Sequence, residues 1–230
     1  MPPSLTGTSV LERFLRYVTY DTQSDMKSES YPSTAKQLVL LDLLVEELRA
    51  LGITDAARED RGYVFGTIPA NTRKPNVPAV GFLAHVDTSP EASGTGVKPI
   101  VHENWNGEDI RFPDDPALRL RPSETPALRG RVGADIVTAS GTTLLGADDK
   151  AGIAEIMAAA EYLMSHPEIL HGAIRLGFTT DEEIGQGARH FDVKKFGAAY
   201  GYTMDGETSG VLDTETFSAD SMAVTFQGFI

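Results

Sequence analysis

Four stretches of the chain place acids, once beside a histidine, at the end of an apolar run or the start of one. His85 and Asp87 follow AVGFLA, and Asp148 and Asp149 stand before an apolar helical pattern. Asp181, Glu182 and Glu183 follow AIRLGF, and Asp205 and Glu207 follow YGYTM. Lys150 is the one lysine or arginine close to the acids in these motifs. Carboxylates brought together with so few cations repel one another or take up protons. A divalent metal relieves both problems. Histidine with oxygen ligands and no sulfur suits zinc at a catalytic site, or cobalt or manganese. The acids exceed what one tetrahedral ion takes. Two ions sharing a bridging carboxylate, about 3.5–4 Å apart as in hydrolytic two-metal sites, use them better and leave one acid as a general base.

Each motif alone has an ordinary reading: a hydrogen-bonded histidine, a helix cap, a solvated acidic run, an Asp-Gly turn. Their recurrence at the ends of strands is what makes a site of them, so the elements that carry them matter. Residues 142–157, TTLLGADDKAGIAEIM, read as a short strand, a tight turn holding the two acids, and a buried helix running to about residue 166. Residues 79–85 are a continuous apolar run, as expected of a strand in mid-sheet covered on both faces. Residues 173–178 and 199–204 read as further strands, and 53–58 with 63–68 as a hairpin pair turning at 59–62.

Upstream, residues 9–19 put Val10, Leu11, Phe14, Leu15 and Val18 on one helical face. A second helix over 33–51 carries Leu38, Leu41, Leu44, Val45 and Leu48, with Ser33 or Thr34 as its cap and Gly52 as its stop. Residues 91–138, with five prolines and the single tryptophan, read as an insertion with short strands. The last strand begins at Ser221. The alternation predicts an α/β fold: a three-layer αβα sandwich with a mixed, mainly parallel central sheet. In such sheets ligands bind in the crevice beyond the carboxyl ends of the strands, where the four motifs lie.

Composition narrows the class. Acids outnumber bases 33 to 20, for a net charge of −13. That disfavours nucleic acid as a partner, since binding there rests on Lys and Arg against phosphates. Solubility explains most of the acidity. No run approaches the roughly 18 apolar residues of a membrane span, and the N-terminus lacks the pattern of a signal peptide. The absence of cysteine excludes thiolate metal sites and makes a cytoplasmic location the default.

Taken together, HVDTSP (85–90), LLGADDKAGIAEIM (144–157), FTTDEEIGQGARHFD (178–192), YTMDGE (202–207) and GTIPAN (66–71) resemble the co-catalytic zinc aminopeptidase and carboxypeptidase family. The insertion, with VHENWNGEDI (101–110), favours its peptidase T branch of tripeptide aminopeptidases. That resemblance implies roles residue by residue. His85 and Asp205 bind the first zinc, Asp148 bridges both ions, and Glu183 binds the second. Asp87 holds the His85 imidazole, Glu182 is the general base, and the Asp148–Asp149 peptide is cis. Asp149, Asp181 and Glu207 inherit no role, and His102, His166, His171 and His190 match no ligand motif.

The implied reaction is zinc-assisted hydrolysis of a small peptide, with Glu182 taking a proton from water and returning it to the leaving amine. The resemblance assigns residues 1–215 to the N-terminal part of the catalytic domain and 216–230 to the start of a lid and dimerisation domain. Family members continue further, returning to the catalytic domain with a second-zinc histidine, and full-length members are expected to be homodimers. Two other readings stay open: a dipeptidase or amidase of the same family, and a non-catalytic metal-binding fragment.

Overall fold

In a computed structural model, which describes residues 9–206, 210–215, 222 and 224–228, the chain forms a five-stranded mixed sheet with three helices on one face. The strands are β1 (Ala57–Arg58), β2 (Val64–Ile68), β3 (Val80–His85), β8 (Ile174–Thr179) and β9 (Tyr200–Thr203), in the spatial order β1-β2-β8-β3-β9. The β1–β2 and β2–β8 pairs are antiparallel, whereas β8, β3 and β9 run parallel. The apolar run at 79–85 is therefore a strand with neighbours on both sides, as its composition requires. β9 borders it, and all four of its residues are exposed.

Helices α1 (Val10–Tyr17), α2 (Gln37–Ala50) and α3 (Ala147–Ser165) share one core with the sheet. Leu41, Leu44 and Leu48 of α2, with Ile153 and Met157 of α3, close over Val64, Leu176 and Phe178. Burying each such side chain contributes about 1.5–3 kcal/mol. The opposite face is thinner. There Tyr63, Phe65 and Leu83 meet Phe191 and Phe196, the last from the four-residue helix α4 (Val193–Phe196). The insertion folds as two small ribbons, β4 (Ile100–His102) with β7 (Ile136–Thr138) and β5 (Ile110–Arg111) with β6 (Arg119–Leu120), around Trp105, Ile110 and Leu128. Among the described residues no helix is long and apolar enough to cross a membrane.

Several local expectations are corrected. No strand precedes Asp148; residues 141–146 are irregular, with Gly141 and Gly146 at positive φ. The 53–58 strand shrinks to two residues. α2 starts at Gln37, and its N-cap, Lys36, makes no side-chain capping bond. The strand expected from Ser221 lies partly outside the described residues, and 224–228 are not in a strand. Glu207 also lies outside them.

α1 turns a different face inward from the one its apolar residues suggest. Val10 and Leu11 are exposed, and Arg13, Phe14, Tyr17 and Val18 are buried. The Arg13 Nη atoms pair with Glu47 of α2 and Glu161 of α3, both at 2.6 Å, while Tyr17 donates to Glu47 at 2.6 Å and Arg16 also reaches Glu47. Three helices thus meet on one buried charged knot. Removing one partner strands a charge in the interior, which costs about 3–5 kcal/mol. Glu47→Ala should lower unfolding free energy in urea by that amount. Arg121→Ala, at the exposed Arg121–Glu124 pair, should change it by less than about 1 kcal/mol. A Glu47→Ala loss no larger than the surface one contradicts the assignment.

Candidate metal centre

The parallel register aligns the motifs. His85 is opposite Thr179, and Leu83 opposite Thr203, so the turns after β3, β8 and β9 leave the sheet at one level. Asp87, the Asp181–Glu183 run and Asp205 follow from those three ends. α3 brings Asp148 and Asp149 from the helical side. Its axis begins only beyond them, since both have non-helical φ/ψ, and the peptide joining them is cis. Gly152 allows this approach: a Cβ there would lie 2.3 Å from the Met204 carbonyl oxygen and 2.4 Å from Asp149 Oδ1. The glycine of DDKAG is thus required by the closeness of α3 to the end of β9.

His85 is almost fully buried. Its Nδ1 is 3.0 Å from the main-chain oxygen of Asp87 and 3.4 Å from that residue's Oδ1, so the nearer partner is the carbonyl. A proton donated there leaves Nε2 as the outward ligand atom. Nε2 lies 2.9 Å from Asp148 Oδ1, 3.7 Å from Asp205 Oδ2 and 3.9 Å from Glu182 Oε2. Ligand atoms of His85, Asp148 and Asp205 all lie within 4.8 Å of one another. One imidazole nitrogen and two carboxylate oxygens are a donor set that suits a divalent ion such as zinc. Glu182 flanks the group, and Glu183 is near enough to feel the charge of Asp148.

The electrostatics show that the acids draw positive charge to this point. Burial works against a charged His85 ring, but hydrogen bonds to Asp148 and Asp87 and the charges of Asp87 and Asp149 outweigh it, raising its pKa to about 11. Burial, with the charges of Asp148 and Glu182 overcoming that of His85, raises Asp205 to about 6. Burial and the charge of Asp148 raise Glu183 to about 7. Asp149 goes up to about 8, chiefly by burial. The hydrogen bond from His85 holds Asp148 below the usual carboxylate range. Lys150 does not relieve the crowding at Asp148. Its buried ammonium donates to the Tyr20 carbonyl at 2.8 Å, and burial lowers its pKa to about 8.

The remaining acids have structural partners. Asp87 is fully buried, and its two oxygens accept the backbone N–H groups of Glu182 at 3.0 Å and Glu183 at 3.1 Å. Asp149 accepts the His85 N–H at 3.2 Å. Asp181 is held by Ser33 and Gln37, two residues that the sequence offered only as a helix cap and a helix position. The other four histidines lie elsewhere: His102 bonds Thr138, His166 stacks on Tyr162, His171 meets the Gly172 carbonyl, and His190 packs edge-on to Tyr31. Beside the group opens a cleft of about 450 Å³, with His85, Glu182 and Asp205 on one side and Leu83, Ala188 and Phe191 among its apolar walls.

No family model matches the chain. Peptidase T of Desulfitobacterium hafniense is 54% identical over 221 residues, which are 96% of this chain and 53% of that protein. Peptidase T of Alkaliphilus oremlandii is 49% identical over 221 residues, 96% of this chain and 54% of the relative. The chain therefore spans about half the length of the curated relatives it matches. Among solved structures, aminopeptidase PepT from Bacillus cereus superposes with a TM-score of 0.60 at 25% identity, covering 86% of this chain and 43% of the other.

The raised groups set a pH dependence for the chain without bound metal. Asp205, Glu183 and Asp149 hold protons in the folded state at pH values where the unfolded chain has lost them. His85 does the same above its ordinary value of 6.5. The folded state binds more protons, so stability falls as pH rises through this range. The melting temperature of the chain in chelator should drop between pH 5 and pH 8, and saturating zinc should flatten that slope. A melting temperature that rises from pH 5 to pH 8 in chelator contradicts the clustering.

Proposed function

We propose that this chain, a homologue of peptidase T over about half of that protein's length, carries the active-site half of a two-zinc aminopeptidase that removes the N-terminal residue from tripeptides. The observation that supports this most directly is the convergence of His85, Asp148 and Asp205 with Glu182 alongside, 3.9 Å from the imidazole. In this reading His85 and Asp205 would hold the first zinc, Glu183 would serve the second, and Asp148 would be shared between them. Zinc bound there would supply Lewis-acid polarisation of a carbonyl and acidify water.

The chain's own residues do the rest. Asp87 keeps the His85 ring oriented and, through the Glu182 and Glu183 amides, keeps the two glutamates in register with it. Glu182, half-exposed at the cleft, takes a proton from water and delivers it to the departing amine. Its exposure suits that work, because a base must meet substrate. The second ion needs more than Asp148 and Glu183. We assign its further ligand to the portion of peptidase T that this chain does not match. A cytoplasmic location, and a homodimer for full-length relatives, belong to the same reading.

Among the described residues the group of possible ligands is His85, Asp148 and Asp205, which favours a second reading, a chain that binds metal without hydrolysing peptides. Zinc-supplemented tripeptide hydrolysis by this chain, beside a full-length relative, separates the two. Release of the N-terminal residue by both supports the enzyme; zinc binding without release by this chain supports the metal-binding form. In whichever protein is active, Glu182→Ala should lower kcat by about 10²–10⁴-fold while zinc content stays at the unsubstituted level. Near-normal turnover in that variant rules out Glu182 as the base.

A further inference from the structure

Asp181 has no part in the chemistry above, yet it is buried, bonded through both its carboxylate and its amide, and directly precedes Glu182. Its φ of 57° is left-handed, a conformation that a non-glycine residue keeps only where its surroundings hold it. The Asp181 carboxylate accepts from Ser33 N–H at 2.7 Å, Ser33 Oγ–H at 2.5 Å and Gln37 Nε2–H at 2.7 Å. Its own N–H donates to Gln37 Oε1 at 3.2 Å, and its carbonyl accepts from Gln186 N–H at 2.9 Å. Gln37 is the first residue of α2 and fully buried, so these bonds dock the acidic turn on the helical layer.

One residue further on, the second anchor takes over. Glu182 and Glu183 N–H donate to Asp87, which lies just past the end of β3 on the His85 side of the site. The backbone that presents Glu182 is thus fixed at two points on two different layers. Further along, Tyr63 donates to the Gly187 carbonyl at 3.0 Å and accepts from His190 N–H at 3.2 Å. A Cβ at Gly187 would come within 3.1 Å of Glu182 Cα, so the turn folds tightly back on the glutamate.

We infer that Asp181, gripped by Ser33 and Gln37, is a positioning residue that sets Glu182 against His85, and that these two residues at the start of α2 act on the reaction without touching substrate. The inference rests on the reading of Glu182 as general base. The competing role is purely structural: a carboxylate that merely ties α2 to the sheet. The two differ in where a defect appears.

Asp181→Asn keeps the shape but sets an amide donor against the donors of Ser33 and Gln37. Gln37→Ala removes the grip from the other side, and Ser33→Ala, which leaves the Gln37 bonds in place, is the milder variant if either fails to fold. Amide hydrogen exchange on the full chain reads the anchoring without any need for activity. Exchange at Glu182, Glu183 and Gln186 should quicken at least about tenfold, the scale of losing a bond to a charged acceptor, with α3 and β2 unchanged. In zinc-supplemented tripeptide hydrolysis kcat should fall about tenfold to a hundredfold, with KM within about threefold, because a small misplacement of a catalytic group has that effect. Exchange that quickens throughout the molecule, or no local change in any variant, overturns the inference. If the unsubstituted chain releases no amino acid, the peptidase reading fails, and the exchange result still decides whether Asp181 anchors the turn.

Discussion

The constraint on which this structure turns is the mutual repulsion of carboxylates gathered around one buried imidazole. Two like charges about 4 Å apart repel by about 4 kcal/mol at an effective dielectric of 20. A few such pairs rival the whole stability of a domain, about 5–15 kcal/mol. The fold distributes the acids so that few stand unpartnered. Asp87 accepts two backbone N–H groups, Asp149 receives the His85 N–H, and Asp181 is taken up by Ser33 and Gln37. Asp148, Asp205 and Glu182 are left facing His85, with Glu183 behind them. Sorted this way, the buried acids build the frame, and the more exposed ones keep oxygens of the kind a cation would take.

That sorting explains the architecture around it. Three parallel strands end at one level because their register is continuous from β8 through β3 to β9. α3 can bring its two aspartates to that level only because Gly152 lets it approach the end of β9. The charged knot of Arg13, Glu47 and Glu161 lies among the three helices that support this face of the sheet. Polar groups are thus buried in two places, one where the helices join and one where the acids meet His85. A chain that spans about half the length of its peptidase T relatives thus brings ligand-type atoms of His85, Asp148 and Asp205 within 4.8 Å of one another.

What the sequence revealed follows from the kind of signal each element carries. The apolar run before His85 and the repeated apolar spacing after Lys150 are strong patterns, and both elements formed where expected. The gathering of His85, Asp148 and Asp205 was legible because chemistry-bearing residues recur at strand ends. Misreadings arose where polar residues go inward. Arg13 and Tyr17 break the apolar stripe of α1, so the buried face was misplaced; only the distant Glu47 and Glu161 make that burial tolerable. Ser33 stands where a cap is usual, but its hydroxyl serves Asp181, 148 residues along the chain. The 142–157 stretch was read as opening with a short strand, but the run before Asp148 is irregular, with Gly141 and Gly146 at positive φ.

Anomalous diffraction at the zinc edge, from crystals of the zinc-loaded chain, tests the central claim most directly. The account predicts an ion with His85 Nε2 at about 2.0–2.1 Å and oxygens of Asp148 and Asp205 at about 2.0–2.2 Å. Zinc bound elsewhere, or His85 still paired to Asp148 with no ion between them at saturating zinc, would contradict it.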